Sequence, residues 1–330
     1  MAEMTKLERV AAALRGDAVD RVPASFWGHN YAKEWSAPDL AEAMLGPLRK
    51  YDWDYLKVNP RATYYVEDWG CKFKPAPGFD RGPEAVEFAV KAAEDWKKIG
   101  VLDITRGDYG EHLEAVRHIA KEIKGNVPFV QTVFSPLSVA GRLVGEEDQM
   151  KEYMRNNPHL VHQALAPITE TLAKYARACL DAGADGIFFA TTSWATRDLL
   201  TDTEYLEFGH PYDLQVLAAV QDGATFNILH ICRDNNMFDL LADYPVHAIN
   251  WAATLPHNID LAEGLKRTTK AVMGGVSEKD TLAEGTPEAV AQEVRAALQQ
   301  TGGRRFLLAP GCSVPPDAPE ANLWAAKGAL

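Results

Sequence analysis

The sequence predicts a single (β/α)8 barrel of the TIM type. Eight short β-rich runs recur along 330 residues, amphipathic helix patterns separate them, and no Pro/Gly/Ser-rich linker divides the chain. One domain therefore spans 1–330. An open doubly wound sheet would alternate in the same way; the count of eight favours closure.

The runs come in order. They are VPASF (22–26), DYLKVN (54–59), PFVQTVF (128–134) and GIFFA (186–190), then TFNILH (225–230), HAINW (247–251), AVMGGV (271–276) and RFLLAP (305–310). Between them lie helix patterns such as DLAEAMLGPLRKY, HLEAVRHIAKEIK, ALAPITETLAKYARACLDAG and PEAVAQEVRAALQQTGG. The last two end in Gly, a common helix C-terminus. One connection is abnormal: residues 60–127, between the second and third strands, carry RATYYVEDWGCKFKPAPGFDRGP, aromatic and then turn-rich. That pattern predicts a hairpin-like excursion over part of the barrel mouth, either functional or mere padding.

Composition excludes several functions. The chain is 47% hydrophobic and 24% charged, enough apolar residue to fill a large core. With 34 basic and 46 acidic residues its net charge is −12, which repels a broad nucleic-acid or anionic membrane surface. A local basic pocket for a small anion is still compatible with that balance. The N-terminus, MAEMTKLERVAAALRGDAVDR, reads as a charged amphipathic helix rather than a signal peptide or membrane span. Four scattered cysteines (Cys71, Cys179, Cys232, Cys312) are too few for a disulfide scaffold, and the expected compartment is the reducing cytoplasm.

Three of the residues can meet. His230 and Cys232 end the fifth strand, and Cys312 lies just past the eighth; barrel active sites form on that face. Residues two apart on an extended segment also point the same way. One imidazole and two thiols suit zinc, whose catalytic sites use three protein ligands and keep one position open. A thiol bound there would lose its proton, and a bound water or ether oxygen would be polarised. An H-x-C pair alone also fits an inert strand end, since cysteine is commonly buried without further role. Cys312 on the same rim is what favours metal. Cys179 falls in a helix pattern and Cys71 in the excursion, and neither is tied to the site. The MGGVS after the seventh strand reads as packing glycines rather than a phosphate site.

Over nearly its whole length the sequence resembles the uroporphyrinogen decarboxylase superfamily. KLERVAAALRGDAVDRVP, FSPLSVAGRLVG, GADGIFFATT, LTDTEYLEFGHPYDLQV, VMGGVSEKDTLAEGTPEAV and GRRFLLAPGCSVPPDAPEANL carry the resemblance. It implies the barrel fold but not one reaction, because the superfamily is functionally split. True decarboxylases have an arginine-rich RQAGR segment after the first strand, where this chain has FWGHNYAKEW and no arginine between Arg21 and Arg49. They also have a second-strand aspartate, here YLKVNPR, and a Gly-His pair where this chain has Gly311-Cys312. The methylcobalamin:coenzyme M methyltransferases of the superfamily bind zinc through His-x-Cys and a distant Cys, and His230, Cys232 and Cys312 match that pattern. Related cobalamin-independent methionine synthases add a glutamate, yet AINWAATLPHN at the sixth strand's end holds no acid. The fourth position is thus left to water, substrate or another residue.

The resemblance implies a zinc-dependent methyltransferase moving a methyl group between a corrinoid, methylcobalamin or a corrinoid protein, and a small molecule. That molecule is a thiol acceptor or a methoxylated or methylated donor. No corrinoid domain is recognisable, which implies a separate corrinoid protein as partner. Two alternatives stand: a decarboxylase of a carboxylated tetrapyrrole, and a non-catalytic zinc- or corrinoid-binding protein. The other strand ends would line the substrate pocket with His29, Asn59, Phe134, Thr192, Trp194 and Trp251. Packing is the competing role for Phe134 and Trp251, and a loop hydrogen bond for His29.

Overall fold

Strands buried on both faces read as continuous apolar runs, and runs joined by helices pair in parallel. In the computed structural model, which describes residues 2–330, nine strands form. They are β1 (Leu56–Val58), β2 (Lys72–Lys74), β3 (Glu84–Glu87), β4 (Phe129–Phe134), β5 (Gly186–Ala190), β6 (Ile228–Ile231), β7 (Ala248–Trp251), β8 (Ala271–Val276) and β9 (Phe306–Pro310). Seven make one curled sheet in the order β1-β4-β5-β6-β7-β8-β9, with every neighbouring pair parallel.

The first run, 22–26, closes the barrel with single bridges instead of a ladder. Ala24 bridges Leu308, and Gly28 bridges Val314, both in parallel. Ser25 N–H donates to Leu308 O (3.2 Å), Leu308 N–H to Pro23 O (2.9 Å), and Asp54 N–H to Ala24 O (2.9 Å). Pro23 has no N–H, so a regular ladder cannot run through it. The eight expected strands are thus present around one (β/α)8-type barrel, the first in reduced form.

Side chains ease the closure. Asp54 is fully buried; its carboxylate accepts from Ala24 N–H (2.9 Å), Arg9 (2.8 Å) and both Arg21 nitrogens (2.6 and 2.8 Å). Arg9 is also held by Asp20 (2.7 Å). It belongs to the helix Lys6–Arg15, which starts at a Thr5–Glu8 capping box and sends Val10 into the barrel's inner core.

Period-two alternation sorts the strands into two cores. Val130, Phe188, Ile228, Ala248, Met273 and Leu307 fill the barrel, whereas Val133, Phe189, Leu229, Ile249, Val272 and Leu308 face the helices. Gly275 (φ 109°) takes a left-handed backbone where a Cβ would come 2.7 Å from Ala297 Cβ, so this glycine of MGGVS lets the helix Pro287–Thr301 approach.

The excursion does fold into an antiparallel β2–β3 hairpin, followed by the helix Gly107–Ile123. No residue of the hairpin lines the central cavity. Arg142 stacks on Phe73 at 5.0 Å and Val90 N–H donates to Leu143 O (3.1 Å), so the hairpin rests on the helix Pro136–Val144. Pro60 alone of this connection lines the central cavity.

Candidate metal centre

His230 lies in β6 at an inward position, two residues after Ile228 of the inner core. Cys232 follows just past the strand end, and Cys312 sits two residues beyond β9. Cys232 Sγ is 3.9 Å from Cys312 Sγ, and Cys312 Sγ is 3.7 Å from His230 Nε2; all three donor atoms lie within 4.8 Å of one another. Zinc with tetrahedral angles and bonds of about 2.3 Å to S and 2.0–2.1 Å to N separates its ligand atoms by roughly 3.6–3.8 Å. The donor set fits that ion.

The imidazole is pre-set for it. Asn250, paired in register with His230, donates its Nδ2 to Met273 O and Pro310 O (3.1 Å each), which fixes its Oδ1 toward His230. His230 Nδ1 is 2.6 Å from that oxygen and must be the donor, so Nε2 keeps its lone pair on the thiol side. Phe188 stacks on the ring at 5.1 Å. The contact between the two sulfurs lets them share one proton, which holds Cys312 well below the ordinary thiol range and Cys232 above it. The other two thiols differ: burial pushes Cys71 up to about 11 and Cys179 further, leaving both protonated.

Asn250→Leu is expected to weaken zinc binding about 10–100-fold, the usual cost of losing a ligand's orienting partner. Asn250→Asp, which still accepts from Nδ1–H, should recover much of that loss. Competition with a chromophoric chelator measures both.

A cavity of about 270 Å³ opens beside the trio at the C-terminal ends of the strands. His29, Phe134 and Thr192 line it as expected from the sequence. Asn59 lies behind the lining, its Nδ2 donating to Ser313 Oγ (3.0 Å) beside Cys312. Trp251 does not reach the cavity. Ala248 and Asn250 point inward, so Trp251 has outward parity; it packs on Phe238 and donates to Ile259 O (2.8 Å). Trp194 is also turned away, its ring filling the space over Gly141, where a Cβ would come within 2.3 Å of it.

Trp27 and Lys57 are among the lining residues that were not anticipated. Trp27 precedes His29 by two, and Lys57 precedes Asn59 by two, so the same-face rule carried one step back would have found both. Lys57 is 5% exposed, donates to Asn59 Oδ1, and has its ammonium 4.7 Å from the Phe188 ring centroid. Burial pushes its pKa down to about 7, against smaller upward pulls from Cys312 and Glu34. Non-glycine residues with positive φ gather at the rim: Thr192 (47°), Arg233 (69°) and Asn235 (48°). Asn258 Nδ2 bonds Arg233 O (3.0 Å), and Asp234 bonds His257 (2.7 Å), holding this strained loop beside Cys232. No helix among the described residues is long and apolar enough to cross a membrane.

Comparison with known proteins adds four findings. The profile of the uroporphyrinogen decarboxylase (URO-D) family matches residues 5–327. The chain is similar to the methylcobamide:CoM methyltransferase MtbA of Methanosarcina acetivorans, 25% identical over 98% of this chain and 96% of that protein. It is also similar to the uroporphyrinogen decarboxylase of Chlorobaculum tepidum, 30% identical over 65% of this chain and 62% of that one. Among solved structures, a methyltransferase from Methanosarcina mazei superposes with a TM-score of 0.83 at 24% identity, covering 99% of this chain and 98% of that one, which supports the fold.

Proposed function

The chain belongs to the uroporphyrinogen decarboxylase (URO-D) family, and within it we propose that this protein is a zinc-dependent methyltransferase passing a methyl group from a corrinoid to a small thiol. The observation that carries the reading is the trio of His230 Nε2, Cys232 Sγ and Cys312 Sγ, within 4.8 Å of one another on the wall of a cavity. Full-length similarity to a methylcobamide:CoM methyltransferase supports the thiol-acceptor direction.

Zinc held by these three donors would lower the proton affinity of a thiol bound at the remaining position, supplying a thiolate near neutral pH. The chain's own groups prepare that position. Asn250 keeps the His230 lone pair turned to it, and Phe188, Phe134 and Trp27 keep the space beside it apolar. An apolar wall excludes water that would solvate the sulfur and blunt its attack. In the net reaction the thiol gives up its proton, the sulfur gains the methyl group, and the corrinoid keeps the electron pair of the Co–C bond. In this reading the corrinoid arrives on a separate protein that docks at the barrel mouth.

The decarboxylase alternative needs several cationic anchors for substrate carboxylates. Lys57 and Arg233 are the lysine and arginine lining the cavity, and Arg233 is occupied by Glu147 at 3.1 Å. The test is anaerobic incubation of zinc-loaded protein with methylcobalamin and a panel of small thiols, following methyl–cobalt absorbance and thioether formation. Zinc-dependent conversion is the expected outcome.

A further inference from the structure

Lys57 is the one feature of the cavity that the metal does not explain. Two thiolates already balance the charge of a divalent ion, so the centre needs no additional cation. Yet an ammonium stands in the same cavity, almost wholly buried, between the Phe188 and Trp27 rings (4.7 and 5.9 Å to the centroids). Its hydrogen bond goes to Asn59 Oδ1, which leaves two of its three N–H donors without a protein acceptor among the described residues. No Asp or Glu lines the cavity. Glu34, the carboxylate that acts on it, makes no hydrogen bond to it; its Oε1 accepts from Asn30 N–H (2.9 Å) and meets His29 Nδ1 (2.8 Å), and its Oε2 has no partner. Cys312 and Glu34 offset its burial only in part, and a buried lysine left short of a counter-charge is a place where a ligand completes the pair.

The geometry points to Lys57 as the anion anchor of this cavity, selecting small substrates that carry a carboxylate. The acid group would sit against the ammonium on the aromatic floor, with the reactive sulfur directed to the His230–Cys232–Cys312 wall. The Asn59–Ser313 bond ties the anchor to the Cys312 loop and fixes the span between the two ends. The sulfur half of this assignment rests on the proposed function; the acid half does not.

Calorimetric titration of zinc-loaded protein tests it with a matched pair, 3-mercaptopropionate and 2-mercaptoethanol, and with propionate, which has no sulfur. Wild type should bind the acidic thiol at least about 10-fold more tightly than the neutral one, a difference of about 1.4 kcal/mol. Lys57→Met should erase that preference and the binding of propionate, leaving 2-mercaptoethanol and zinc content within about twofold. Equal affinity of wild type for the two thiols would overturn the anchor without needing any variant, as would equal weakening of both by Lys57→Met. Propionate and 3-mercaptopropionate binding equally well and only through Lys57, with 2-mercaptoethanol not bound, would sustain the anchor and sink the methyl-transfer reading instead.

Discussion

Cys312→Ala is expected to lose zinc retention by more than about 100-fold and methyl transfer with it. An orienting partner alone is worth 10–100-fold in affinity, and a direct ligand is worth more. Cys312 is also the member common to both short contacts of the trio, 3.9 Å to Cys232 and 3.7 Å to His230, so its removal leaves the other two without their shared neighbour. The fold should survive, because Cys312 lies in a loop beyond β9 and belongs to neither core. Metal content after dialysis, read beside an unchanged circular dichroism spectrum, checks this. Cys179→Ala makes the control, since that thiol is buried in the helix Pro158–Asp181 and removing it should leave zinc in place.

The second large effect concerns stability. Asp54→Ala should cost about 3–5 kcal/mol in urea unfolding, the usual consequence of deleting one partner of a buried ion pair. Arg9 (side chain 4% exposed) would lose one of its two carboxylate partners, Arg21 would lose its own, and Ala24 N–H would lose its acceptor. Those bonds join the reduced first strand to the start of β1, where the barrel closes with the fewest backbone bonds. Asp17→Ala is the matched control. Its pair with Arg15 is more than half exposed on both sides, so the change should stay within about 0.5 kcal/mol.

The barrel was legible because its period-two runs and intervening helix patterns are local signals. The limits of β4, β5, β8 and β9 fall within one residue of the apolar runs. Closure was less legible: 22–26 reads as a strand, but Pro23 and the Asp54 cluster, thirty residues away, decide how it pairs. The three candidate ligands could be placed on one rim because strand ends share a face. What orients them could not, since Asn250 meets His230 only through the register of β6 and β7.

The two tryptophans show the opposite failure. Trp251 ends a strand and looked like a pocket residue, yet its parity with Ala248 sends it outward. Trp194 left the strand in a 3-10 turn, and its direction was set by a glycine on another helix. Lys57 was hidden for a different reason. A lysine in a strand reads as solvent-facing, and only the inward positions of Tyr55 and Asn59 on either side show that it belongs to the interior.

The measurement that bears most directly on the account is methylcobalamin turnover by the zinc-loaded protein with a small thiol, compared with the same protein stripped by a chelator and then reloaded. The account predicts loss of the methyl–cobalt absorbance with one thioether formed per methyl group, abolished by stripping and restored by zinc. Equal turnover with and without the metal, or no thioether from any thiol in the panel, would contradict it.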